Sequence, residues 1–466
     1  MLFMVKWYSE VNIMFDIRQD FNCCKTISCR NFGVNGSEDY VYKSKRLGYL
    51  SVECKACGSN PPWINNELIE NIQKEKLAFH FARKITHCKH CYQYFFFNEK
   101  NAAKLHGFTG AGTQRLKCTS CDRVYSLGKH KNIGAIREVL QTVIDNLDIN
   151  DAIRKTGLSA RLYYFYLEKL SLLLTNYSRL KEQDVMKRQY IALQTEGKVL
   201  HLHHKRGFYT LLSGEASSGY ILLQTNNLTK QTLLEQDIYN TCENTIIKDT
   251  HANNVENEIK QHYQQTLYRK HFEKLLIGEL KAINHCNLLY PNKLVYVHFS
   301  LLRAFIQKAQ RYSHYIELES SIRAAAVMSA YPEIKNGTAD VYYYLPFLNN
   351  QEVLNNKKIG WWGDRWFSFE LGAYSSITNN SKSNTPFQLN NAEHLNCYYT
   401  YLEENLNKSL NSFNTIANFS EIHRVLFNFC QTHRDKTPAM SFGLIETPLT
   451  AVELLNEAIH LSDYTE

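Results

Sequence analysis

Alternation of apolar and polar positions divides this chain into a strand-and-turn start, a helical middle and a mixed remainder. Residues 133–148, IGAIREVLQTVIDNLD, repeat apolar side chains at three- and four-residue steps, which predicts an amphipathic helix. The stretch INDAIRKTGLSARLYYFYLEKLSLLL that follows reads as helix, turn at Thr156-Gly157-Leu158-Ser159, and second helix. Gly157 relieves the tight turn and Ser159 is the expected N-cap. This is a helix-turn-helix pattern, with Arg161 and Tyr164 early on the second helix, where such motifs face the DNA groove. Period-two alternation then takes over: QYIALQTEGKVLHLHHK (189–205) predicts one strand and GFYTLLSGEASSGYILLQT (207–225) two more. Residues 226–290 return to helical period with many Gln, Asn and Lys, which predicts a helical insertion between core strands.

Cysteine spacing adds chemistry to this outline. Nine of thirteen cysteines fall in the first 121 residues: Cys23, Cys24 and Cys29, then Cys54-x-x-Cys57, Cys88-x-x-Cys91 and Cys118-x-x-Cys121. Two Cys-x-x-Cys turns brought together complete a tetrahedral thiolate site. One expected zinc site is Cys88, Cys91, Cys118 and Cys121, with the 26 intervening residues as a hairpin arm. A second uses Cys54 and Cys57 with Cys29 and one of Cys23 or Cys24; Cys24 is the expected ligand. Both sets offer four cysteines, so structural rather than catalytic zinc is expected.

Charge sharpens the picture. The net charge is +8, and residues 81–131 carry ten basic side chains against Glu99 and Asp122, which accounts for all of it. A basic module suggests a polyanion, and Arg115, Lys117, Arg123, Lys129 and Lys131 are the expected phosphate contacts beside the thiols. Apolar content of 44% and charged content of 21% are those of a globular chain. No signal peptide or membrane span is expected, which points to the cytoplasm. Gly-rich phosphate loops and Gly-x-Ser-x-Gly elbows are absent, which excludes those nucleotide and hydrolase classes.

In this order the modules resemble bacterial insertion-sequence transposases. The stretch Gly107-Phe108-Thr109 to Cys121 is similar to their G-x-T-x-x-G-x-Q-R-x-x-C-x-x-C ribbon signature, and Thr437-Pro438-Ala439-Met440 to a segment near their end. The resemblance implies a multidomain α+β protein: tandem zinc ribbons over 15–130, a helix-turn-helix over 131–185, and an RNase H-like α/β core over 186–466 with the insertion at about 226–290. It also implies three catalytic acids. Thr195-Glu196 stands at the first aspartate, and IELESSIRAAA puts Glu319, or Glu317, at the second. Glu403, with Glu404 beside it, falls near the third, although the favoured register places Lys408 there. Glu is one methylene longer than Asp, and magnesium tolerates little departure from octahedral geometry.

The expected function is therefore DNA binding by a transposase-derived protein with impaired chemistry. The alternatives are an active magnesium-dependent transposase with an all-glutamate site, and a zinc-ribbon protein-interaction module. Duplex DNA is the expected partner, and self-association is left open. Two further clusters invite chemistry. In HLHHK, a strand would set His201 and His203 on one face and His204 on the other, which reads as exposed strand histidines near phosphates rather than a metal cluster; WWGDRWFSF reads as buried core rather than a base-stacking platform.

Overall fold

The computed structural model describes residues 19–80, 103–110, 114–119, 121–126, 132–185, 188–239, 254–269, 272–306, 309–346, 353–360, 363–369, 372–378, 394–406 and 409–464. Among these the protein is mixed α+β, with twelve α-helices and one large mixed sheet. A hairpin of β1 (Tyr40–Ser44) and β2 (Ser51–Cys54) is followed by helix α1 (Asn66–His80). Next comes a three-stranded antiparallel sheet of β3 (Ala103–Phe108), β4 (Gln114–Cys118) and β5 (Val124–Ser126).

The helical segment is α2 (Ile133–Ile144), α3 (Ile149–Thr156) and α4 (Ala160–Val185). Gly157 caps α3 at φ +64°, a conformation that costs glycine little. Ser159 Oγ accepts from the Leu162 N–H at 3.4 Å, in the expected capping role. Ala152, Val139 and Tyr163 bury between the three helices. Helix α4 runs on well past this unit, and its second half is buried at residues 171–175 and 177–179.

The large sheet is built around β6 (Tyr190–His201), β7 (Gly207–Glu215) and β8 (Ile221–Asn226), an antiparallel meander. The two-residue strand β9 (Leu228–Thr229) pairs with β10 (Asn287–Leu288), bracketing an insertion whose described helix is α5 (Val255–Leu267). Much of 272–286 is irregular rather than helical. Helix α6 (Pro291–Ile306) leads to β11 (Arg311–Ile316), which pairs in parallel with β6. Helices α7 (Ser320–Ser329) and α8 (Tyr331–Asn336) then cross to β12 (Ala339–Pro346), parallel to β11. Strands β13 (Lys357–Lys358), β14 (Arg365–Phe369) and β15 (Gly372–Ser376) extend that edge, giving the order β13-β14-β15-β12-β11-β6-β7-β8.

Helices cover both faces. From α6, His298 reaches Ser213 and Thr225 at 2.7 and 2.8 Å, on the face that also carries Thr195 and His314. Burial pushes His314 down to about 3, so its imidazole stays uncharged inside the core. The opposite face of β6 and β7 is covered by α9 (His394–Asn405), whose Tyr399 hydroxyl donates to the Glu196 carbonyl at 2.9 Å. Helices α10 (Phe413–Cys430), α11 (Pro438–Ser441) and α12 (Ala451–Tyr464) complete the chain, and α10 and α12 pack on α4. Between them, fully buried Arg424 lies 3.1 Å from Glu421 and 3.6 Å from Glu182.

Candidate functional sites

The N-terminal thiols meet. The sulfurs of Cys24, Cys29, Cys54 and Cys57 lie within 4.8 Å of one another, an arrangement that could hold a metal ion. Cys24 is 3.5 Å from Cys57, and Cys29 is 3.9 Å from Cys54. These separations are far beyond the roughly 2.05 Å of a disulfide bond. The Cys54–Cys57 turn closes through the Gly58 N–H to the Cys54 carbonyl at 2.8 Å, with Gly58 at φ +73°. Burial pushes the Cys57 thiol up, but hydrogen bonds with Ser59, Cys24 and Cys29 outweigh it and bring it down to about 6. The neighbouring Cys23 stays out of the cluster, buried and pushed up to about 12 by desolvation.

Of the other expected set, Cys118 is buried and Cys121 half-buried on a tight turn, in which the Asp122 N–H donates to the Cys118 carbonyl at 3.0 Å. Cys88, Cys91, Lys129 and Lys131 lie outside the described residues, as do Trp361, Trp362 and Lys408. Arg115 and Arg123 are exposed beside that turn, and Lys117 pairs with Asp122 at 2.9 Å. On α4, Arg161 and Tyr164 are exposed, together with Leu162 and Phe165.

A carboxylate group forms in the large sheet. Glu196 sits midway along β6, and Glu317 directly follows the end of β11, where Ile316 pairs with Thr195. The Gly197 N–H donates to Glu317 at 3.1 Å, and Gln194 donates to Glu196 at 2.6 Å. Desolvation pushes Glu317 up to about 8, and the nearby Glu196 and Glu319 charges add to it. Glu196 is pushed up to about 7 by burial, against the Gln194 hydrogen bond and Lys198. Glu319 differs. It caps α7, accepting from the Ser321 N–H at 3.2 Å, and both its oxygens bind Arg269 at 2.7 and 2.8 Å. Burial would raise its pKa, but Arg269 outweighs that and holds it below the usual range.

Glu403 is turned toward Lys198 at 3.1 Å, and the Glu404 carbonyl accepts from Asn146 at 2.9 Å. The side chain that α9 brings to the Glu196 segment is Tyr399. Residue types and spacing singled out Glu196 and Glu319, with Glu317 as the alternative; the direct neighbour of the Glu196 segment is Glu317. Arg269 carried no sequence signal, because it arrives from an irregular stretch after α5.

The histidine reading is corrected. His201 ends β6, and 203–205 form a single helical turn with His204 and Lys205 at positive φ, so His201 and His203 share no strand face. Trp366 is fully buried and stacks on Tyr343 at 6.2 Å, as core. Among the described residues, no helix is long and apolar enough to cross a membrane. No family model, curated protein or solved structure matches the chain.

Proposed function

We propose that this chain is a transposase-derived, zinc-stabilised DNA-binding protein whose RNase H-like core has lost two-metal strand transfer. One observation carries the reading: the order β8-β7-β6-β11-β12, a three-stranded meander continued by two parallel strands, with carboxylates in the first strand and just after the fourth. This is the strand order expected of an RNase H-like core, and it follows a thiol cluster and a three-helix unit as the resemblance implies.

Zinc suits the four thiols. With Zn–S bonds of about 2.3 Å, tetrahedral sulfurs lie about 3.8 Å apart, and Cys24–Cys57 and Cys29–Cys54 are at 3.5 and 3.9 Å. Cys24, Cys29, Cys54 and Cys57 would fill every position of such a site, so the ion would cross-link the loop and contribute stability alone. Duplex DNA would meet the exposed start of α4, with Arg161 and Tyr164 foremost, and the cations Arg115, Lys117 and Arg123 of the second module.

Impaired chemistry is supported by the state of the acids. Two-metal transfer requires ionised carboxylates around ions about 3.5–4 Å apart. Here burial favours the neutral forms of Glu196 and Glu317, and Arg269 engages both oxygens of Glu319.

The test is duplex binding by the zinc-loaded protein, followed by fluorescence anisotropy between about 50 and 200 mM salt. Affinity should fall steeply with salt. Arg161→Ala should weaken binding; if Arg161 contacts a phosphate, the log–log salt slope should fall by about one. Binding that ignores salt, or no binding at all, overturns the proposal. Magnesium-dependent strand cleavage by the wild-type chain replaces it with the active-transposase reading.

A further inference from the structure

Arg269 enters the acidic group from the insertion, two residues beyond the end of α5. Its fork grips both oxygens of Glu319, and the two side chains are only 9% and 8% exposed. Described residues before and after it in the chain are anchored. The Ser320 hydroxyl donates to the Phe272 carbonyl, and fully buried Glu273 accepts from Lys25 at 2.7 Å and from the Tyr296 hydroxyl at 2.8 Å. Lys25 directly follows Cys24 of the thiol cluster. On the upstream side, the Tyr263 hydroxyl of α5 donates to Asp364.

A second observation concerns the Glu317 side of the acidic group. The Tyr209 hydroxyl is buried with no hydrogen-bond partner among the described residues. It stands 1.8 Å from where a Cβ on Gly197 would be, next to the N–H that holds Glu317. Only glycine at 197 leaves room for it.

We propose that Arg269 is a built-in blocking cation: its guanidinium neutralises the Glu319 side of the carboxylate group, and the thiol module holds it in place through Lys25 and Glu273. A bidentate, desolvated guanidinium–carboxylate pair is among the stronger charged contacts in proteins. A divalent ion gains its hold from ionised oxygens, and here the guanidinium claims both oxygens of one acid. Entry of such an ion therefore requires the Arg269 side chain to leave Glu319. The inference rests on reading these acids as the remnant of a metal site, but not on DNA binding.

Manganese titration of the zinc-loaded protein at pH 8, followed by the electron paramagnetic resonance signal of the free ion, tests this. The wild type should retain no manganese below millimolar levels. Arg269→Gln should bind one ion at least tenfold more tightly, and adding Glu196→Gln should abolish that gain. Equal binding by wild type and Arg269→Gln, or no binding by a folded Arg269→Gln protein, overturns the inference. Should Arg269→Gln fail to fold, Glu273→Gln keeps the Arg269 and Glu319 side chains and removes the carboxylate that holds buried Lys25. It should tighten manganese binding at least threefold, and an unchanged affinity overturns the inference equally. DNA binding measured on the same samples keeps the two readings apart: its loss in the wild type sinks the functional proposal, while the manganese result still decides the role of Arg269.

Discussion

Replacing Glu317 by glutamine should make the protein more stable at alkaline pH while leaving it unchanged near pH 4. Glu317 is held mainly protonated at neutral pH, with its folded pKa at about 8 against an ordinary 4.5. A group raised in this way contributes its full stability below the unfolded value and loses it as pH climbs through the folded one. At about 1.4 kcal/mol per unit, a shift of that size sets an upper limit of about 4–5 kcal/mol at pH 8. Glu317 is only half-buried by solvent exposure, so the expected cost is reduced to about 1–3 kcal/mol by water screening. Glutamine keeps a carbonyl to accept from the Gly197 N–H, now at 3.1 Å from the carboxyl, and has no proton to lose. Urea unfolding of wild type and Glu317→Gln at pH 4, 6 and 8 reads the difference directly. The midpoints should coincide at pH 4 and separate progressively toward pH 8, with the variant higher. A variant that is weaker at pH 8, or that shows the wild-type dependence on pH, would refute the argument that desolvation keeps this acid neutral.

Three further outcomes are expected. Arg424→Leu, which leaves buried Glu421 without its cation while Glu182 keeps Arg179 at 2.6 Å, should cost about 3–5 kcal/mol in chemical unfolding; a loss below about 1 kcal/mol would show that Arg424 is not what joins α4 to α10. Cys54→Ser should lower the bound metal by one equivalent in elemental analysis, and unchanged metal content would remove the thiol cluster as a metal site. In metal-stripped protein at pH 7, iodoacetamide should modify exposed Cys57, drawn down to about 6, well before buried Cys23, pushed up to about 12; the reverse order by mass spectrometry would contradict the assigned environments.

Some of this was readable in the chain. Local features carried the helices of 133–185, because apolar period and the Gly157–Ser159 turn are decided within a few residues. The thiol cluster was half legible. Cys54-x-x-Cys57 announces its own turn, whereas the choice between adjacent Cys23 and Cys24 depends on which way the backbone faces when a distant hairpin arrives. The strands of the meander were visible as alternation, but the histidine stretch misled, since a strand pattern says nothing about where the strand stops.

The acidic group marks the boundary between the two kinds of information. Residue order supplied Glu196, Glu317 and Glu319 and the strands that carry them, since alternation and helix-starting signals are short-range properties. Tertiary structure decided which acid stands beside the β6 backbone and which becomes a helix cap, because parallel pairing of β6 with β11 aligns residues 121 positions apart, such as Thr195 and Ile316. It alone brought Arg269 onto Glu319 and Lys25 onto Glu273. Charges so far apart in sequence attract one another strongly only after folding has removed the water between them.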